Sequence, residues 1–440
     1  MWTSRTSFRR WFALPGFGLI RPLCIAAIAL ILPGACAAQV AVWGGGAGGW
    51  FAIPSHWYDS STNTQVAPPS GSGWTALIGY GSANGSVTLD GAASVGSVWL
   101  GRGTSGSLEV NSAANSLTAA GNIDVGAGGV PSSTGTSAGQ GDLSVSGGGV
   151  VSGNHVLIGA AQSVGSVEVS GAGSQLNATS LVVGEGGLGS LVVDPGGVVT
   201  AQSTQIGEIS PAVGTVEVEA GVFNAGKLSI GSSGTAGDVR VVGSTLSSSD
   251  AQVGVYGNGS VAVDVLSAWN NTGELDIGGG GSVTVEDYSI LTADSLLLQS
   301  GGSLILDPSD ASVTGDFTLD SGGSLALDIA GDMSDLISQL DIAGTGTFDG
   351  IIDLNFIDGF APTSGTFDLI NVPSADFSLA TIDVTGLQPD IPYSYKYADG
   401  EFTLTVGEVG SPEPGSFWLA DAALAGVALG LLRKRIRAGA

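Results

Sequence analysis

Two histidines, His56 and His155, and four basic residues, Arg102, Lys227, Arg240 and Lys396, are all the proton-transferring or anion-binding cations between the two basic ends of the chain. The histidines lie far apart in different sequence units, so a metal pair or an acid–base pair is not expected. A polysaccharide lyase needs a base for the α-proton and cations to neutralise a uronate, and four scattered cations do not supply such a centre. A glycosidase needs two carboxylates at a set separation. The acids Glu109, Glu168 and Glu217 instead recur at equivalent repeat positions, which predicts an outward ladder. Asp307, Asp310, Asp316 and Asp320 invite a Ca²⁺ reading, but the G-G-x-G-x-D nonapeptide of Ca²⁺-binding solenoids is absent. Both cysteines, Cys24 and Cys36, fall in the N-terminal segment, leaving the body without a thiol nucleophile. No metal and no cofactor is expected. Trp43, Trp50, Trp57 and Trp74 are candidates for stacking on sugar rings; the competing reading is a plug for the first structural unit.

What must carry these residues follows from composition. Gly is the commonest residue type at 74, hydrophobic content is 43%, and charged residues make up only 12%. That excludes a disordered chain, which lacks apolar residues, and an ordinary helical domain, in which each Gly costs about 1 kcal/mol relative to Ala. The body holds 37 acids against four bases, about −33. Such a surface repels nucleic acid and anionic lipid and keeps a Gly/Val-rich body soluble.

The body repeats. Gly165-Ser-Val-Glu-Val169…Leu181-Val-Val-Gly184 is followed by Gly189-Ser-Leu-Val-Val193…Ile206-Gly207 and Gly214-Thr-Val-Glu-Val218…Leu228-Ser-Ile-Gly231. The closing glycines Gly79, Gly101, Gly126, Gly159, Gly184, Gly207, Gly231, Gly254 and Gly278 are 22 to 25 residues apart, except for one step of 33. That step contains an insertion, 129–139, which reads as a surface loop. Val167-x-Val169 alternates as a half-buried strand does, and the flanking Gly-Ser and Ser-Gly-Ala-Gly are turn chemistry. Two or three short strands in about 24 residues fit one coil of a parallel β-solenoid, whose apolar face is buried only by stacking on its neighbours. A propeller blade needs a longer unit, and a sandwich has no reason to keep a constant period.

The expected fold is all-β: a parallel, right-handed β-helix of about ten coils with a β cap, an N-terminal signal helix and a C-terminal transmembrane helix. The organisation is a signal peptide over 1–38, a Trp-rich cap over 39–76, solenoid repeats over 77–330, terminal coils and a Phe/Tyr-rich β cap over 331–406, and a linker and tail over 407–440. Met333–Leu340 (MSDLISQL) is the one helix candidate in the body.

The ends carry export signals. Arg5, Arg9, Arg10 and Arg21 precede an apolar run, Leu23–Leu32, and Ala35, Ala37 and Ala38 mark the signal cleavage region. Cys36 lacks the lipobox leucine three residues earlier, where Pro33 stands. At the other end, Pro412-Glu413-Pro414 precedes a mostly apolar stretch, 417–432, and a basic cluster, Arg433, Lys434, Arg435 and Arg437. At about 1.5 Å per residue the stretch is just long enough to span a bilayer, with the cluster left in the cytoplasm.

Residues 411–437 resemble the PEP-CTERM sorting signal of exopolysaccharide-producing Gram-negative bacteria, with Asp421 departing from its uninterrupted apolar stretch. The repeats over about 77–285 resemble those shared by autotransporter passengers and PEP-CTERM proteins, approximately L-x-V-G…G-[ST]-[VL]-x-V. No translocator barrel follows them, so self-transport is not expected. The resemblance implies signal peptidase and Sec-type export machinery as partners, then an exosortase cutting near Pro412–Pro414. It implies a non-catalytic structural or adhesin-like protein at the cell surface or in an extracellular matrix, with exopolysaccharide as the remaining partner. A carbohydrate-binding or polysaccharide-degrading β-helix is the alternative.

Overall fold

The computed structural model describes residues 38–128, 130–132 and 135–407. The signal segment, the sorting motif, the apolar tail and the basic cluster lie outside the described residues, except that Ala38 opens them, exposed.

The repeat folds as its period-two pattern requires. Val164–Val169 buries Gly165, Val167 and Val169 and turns Ser166 and Glu168 outward, and its neighbours do the same in strict parallel register. A 14-stranded sheet is built from one such strand per turn, and a 22-stranded sheet carries the rest of each turn. About 12 regular turns lie between an irregular first and last rung, against about ten expected. At a spacing of ~4.8 Å the stack is roughly 60 Å tall.

The longer strand of each turn is bent. Val150–Ala160 buries Val151 on one side of Gly153 and Val156 and Ile158 on the other, with a register shift between Gly153 and His155. From residue 268 onward the bend becomes a break, giving pairs such as Ala268–Asn271 and Glu274–Ile277. Each turn therefore has three faces, and the inward residues form continuous columns. One runs Leu117, Val151, Leu176, Val199, Phe223, Leu246, Trp269, Leu291, all essentially inaccessible to solvent.

Glycines make the corners. The closing glycines from Gly79 to Gly254 all have φ between +64° and +78°, where a side chain is strained. They face a second column, Gly106, Gly141, Gly165, Gly189 and Gly214, in register on adjacent rungs. A Cβ on Gly165 would overlap the Val125 carbonyl oxygen and the Gly159 amide nitrogen. Gly278, the last of the expected set, has no positive φ. Its successors after Leu298, Leu319 and Phe348 are Gln299, Asp320 and Asp349, so the corner relaxes where the strand breaks.

Another corner is held by a ladder of buried hydroxyls. Backbone N–H groups of Ser267, Ser289 and Ser309 donate to the side chains of Ser289, Ser309 and Ser338 at 3.1–3.4 Å, and Ser338 Oγ donates to the Leu306 carbonyl at 2.6 Å. Inside the stack, Trp269 Nε1 donates to Ser248 Oγ at 2.9 Å, and Ser248 donates to Asn271. These buried polar atoms are paired as a dry interior demands.

Both ends of the larger sheet are closed by antiparallel pairs. Gln39–Trp43 takes Trp57–Asp59 on its outer edge. Gly365–Asn371 takes Glu401–Val406, which takes Tyr393–Ala398. A phenylalanine stack closes the core below, with Phe348 and Phe377 rings 4.3 Å apart and Phe402 5.0 Å beyond. Two expectations are corrected. The insertion holds a short antiparallel hairpin, Val130–Ser132 with Gly135–Ser137. The helix candidate over 333–340 is a single 3-10 turn, Ser334–Leu336, followed by the strand Gln339–Ile342. The parallel rung Asp310–Val313 captures Gln339–Ile342, and that pairing outweighs the local helical pattern.

Gly165→Ala is expected to destabilise the protein by more than ~2 kcal/mol through backbone overlap, and Phe223→Ala by about 3–5 kcal/mol through a core cavity. Val164→Ala, at an exposed neighbouring position, should stay within ~0.5 kcal/mol. Denaturant unfolding of the three variants is the check.

Candidate functional site

The outer surface of the second part of the bent strands carries most of the unusual side chains. One outward column there runs Leu77, Trp99, Asp124, Leu157, Val182, Gln205, Ser229, Gln252, Asp276 and Leu297, placed by register on successive rungs.

Its first rungs, Leu77, Trp99 and Asp124, are partly or wholly covered. The Arg102 guanidinium lies 4.4 Å over the Trp99 ring, a cation–π contact. Trp99 Nε1 and Asp124 Oδ1 are buried without a hydrogen-bond partner. Burial pushes the Asp124 carboxyl up to about 7; Glu185 adds to the rise and Arg102 opposes it. The same burial raises Glu185 and Glu208. Asp124 therefore lies far above the ordinary carboxylate range, close enough to Glu185 and Arg102 to feel both charges.

The middle of the face is an open groove of about 640 Å³. Gln205, Ser229, Gln252 and Asp276 line it in one column. Lys227 and Asp250 form its edge, 3.5 Å apart and exposed to water, and Glu274 extends that edge. Gln299 Nε2 donates to both oxygens of Asp276 at 2.7 and 3.0 Å, which fixes the carboxylate. Burial holds the Asp276 carboxyl above its ordinary value, against the lowering by Gln299. This arrangement can accept and donate hydrogen bonds along several rungs.

The sequence-derived candidates are dispersed. Trp43, Trp50 and Trp57 are fully buried, with ring centroids 5.3 Å and 4.9 Å apart, and Trp57 Nε1 donates to the Trp50 carbonyl at 3.1 Å. They offer no ring face to a sugar; the cluster plugs the first turn, and the stacking reading is corrected accordingly. Trp74 is half-buried against the same core. His56 packs edge-on to Trp43 at 4.9 Å, while His155 stands exposed on the groove-bearing strip, beside Asn122 and Ser180. Glu109, Glu168 and Glu217 lie in one outward column of the smaller sheet, as an outward ladder requires. Asp307, Asp310, Asp316 and Asp320 do not converge: among the described residues no group of three His, Cys, Asp or Glu could hold a metal. Sequence reasoning missed the groove, because its residues come one per repeat and only the register aligns them. Among the described residues no helix is long and apolar enough to cross a membrane.

The raised carboxyls set a pH dependence. A carboxyl whose folded pKa is raised stays protonated after its unfolded counterpart has ionised, so its contribution falls as pH rises from about 4 through the folded value. Asp124, Asp142, Glu286, Asp307 and Asp328 all lie on that side; the lowered ones, Asp59, Asp316 and Asp376, are exposed. Thermal stability is expected to rise as pH is lowered from 8 to about 5. Asp124→Asn should stabilise by ~1–2 kcal/mol at pH 8, allowing for partial hydration, and by less at pH 5. Melting curves at both values are the check.

The chain matches no protein-family model and no curated protein.

Proposed function

We propose that this chain is an exported, non-catalytic surface or extracellular-matrix protein, a rigid acidic rod sorted through its C-terminal tail in a Gram-negative, exopolysaccharide-producing bacterium. The observation that carries the reading is the uninterrupted stack of parallel rungs: each turn is dedicated to burying its neighbour, and the outside is left to repeated Ser, Thr, Asp and Glu positions. A repeat of this kind sets length and surface chemistry. A right-handed coil is the expected hand for parallel strands joined in this way.

The two ends supply the route. The basic, apolar and small-residue segments ending at Ala35, Ala37 and Ala38 support signal peptidase cleavage after Sec-type export. Pro412-Glu413-Pro414, the apolar 417–432 and the cluster Arg433, Lys434, Arg435, Arg437 support a transmembrane helix held in the inner membrane until an exosortase acts. The groove favours a second reading in which the rod also binds carbohydrate.

Deleting residues 412–414 is expected to trap the protein in the inner membrane at its uncut mass. Fractionation and mass spectrometry of the mature protein are the check, and release at the wild-type mass and rate would refute exosortase recognition.

A further inference from the structure

The groove's lining is polar over consecutive rungs, flanked directly by apolar ones. On the same outward column the rungs before it carry Leu157 and Val182, Val182 being almost wholly buried, and the rung after it carries Leu297. Between them, four consecutive rungs carry Gln205, Ser229, Gln252 and Asp276. Four rungs at ~4.8 Å make a polar strip about 14 Å long, and its volume of about 640 Å³ lies within the range of small-molecule sites.

The chemistry of the strip is selective. Two amides and a hydroxyl both donate and accept hydrogen bonds, and Asp276 is a carboxylate already steadied by Gln299. The groove's one cation, Lys227, is paired with Asp250, so Glu274 and Asp276 leave the groove net negative and hostile to uronates, sulfates and phosphates. No aromatic ring lines it, so flat apolar ligands gain little. We propose that this groove binds a neutral oligosaccharide laid across the rungs, with Gln205, Ser229 and Gln252 hydrogen-bonding its hydroxyls and Asp276 accepting from one of them. The assignment deepens the surface-rod reading by naming a ligand class, and it stands independently of how the tail is sorted.

The test is calorimetric titration of the full chain, at millimolar ligand, with a panel of neutral gluco-, galacto-, manno- and xylo-oligosaccharides. Oligogalacturonate serves as the anionic comparator. At least one neutral oligosaccharide should bind, and oligogalacturonate should bind more weakly. Gln252→Ala and Asp276→Asn should each weaken that binding about tenfold, with the melting curve of Gln252→Ala, an exposed position, unchanged. Gln175→Ala, outside the groove, should leave binding as it is. The proposal is overturned if no neutral oligosaccharide binds, if oligogalacturonate binds best, or if Gln252→Ala and Asp276→Asn bind as the wild type does. Loss of glycan binding with normal export would leave the sorting proposal standing, and the reverse outcome would leave the groove standing.

Discussion

Parallel pairing with nearly constant register is the constraint on which the rest of this structure depends. Once the backbone of one rung bonds to the next, a residue has no choice of neighbour: it sits on its counterpart from the turn before. Inward columns must then stay apolar over the whole stack, because a single polar residue would face apolar side chains above and below without a partner. Size is free to vary only if adjacent positions compensate. Trp269 occupies a column otherwise filled by Val, Leu and Phe, and the rung beside it offers Ala251 and Ser248, the latter accepting its indole N–H. Thr204, a polar exception in an inward column, donates to the Ala225 carbonyl at 2.8 Å.

The corners obey the same constraint in backbone terms. Where the Gly159-type glycines meet the Gly165-type glycines, chain passes against chain with no room for a Cβ. The conformation there is left-handed. Glycine is thus required twice at each corner, which explains why the composition is so rich in it. Where the bent strand breaks into two after residue 268, the left-handed closing glycine is no longer required and gives way to Gln299, Asp320 and Asp349, while Gly281, Gly302 and Gly350 in the facing column still leave no room for a Cβ. The change of period in the sequence and the break of the strand are one event.

This also explains what the sequence made legible. The period, the Val-x-Val alternation and the closing glycines are properties of single turns repeated many times, so parallel stacking could be read directly from Gly165–Gly184 and its copies. The Phe-rich terminal cap was legible as loss of period. Three things were not. The serine ladder from Ser244 to Ser338 looks like ordinary turn composition until register aligns it. The strand Gln339–Ile342 is preceded by a helix-like local pattern that pairing overrides. The groove uses unremarkable residues, Gln205, Ser229 and Gln252, whose meaning lies in their being stacked. Trp43, Trp50 and Trp57, chemically the most suggestive residues, are consumed by the need to close the first turn.

The outward columns face the converse problem, since register also stacks like charges. Glu286 and Asp307 are direct rung partners, and Asp264 and Asp328 flank them; burial raises the Glu286 carboxyl with Asp264 and Asp307 adding to the rise, and burial raises Asp328 with Asp307 adding. Arg240 relieves one end of this ladder, bonding Asp264 at 2.8 Å, and Asn355 relieves the other by donating to Asp328 at 2.8 Å. The groove resolves the same stacking problem differently. It alternates amide, hydroxyl and amide before reaching a carboxylate, so successive rungs do not repel and each retains a hydrogen-bonding group facing outward. A column that only needed to resist aggregation would be acidic throughout; one that mixes neutral donors and acceptors over four rungs is suited to holding a polar chain.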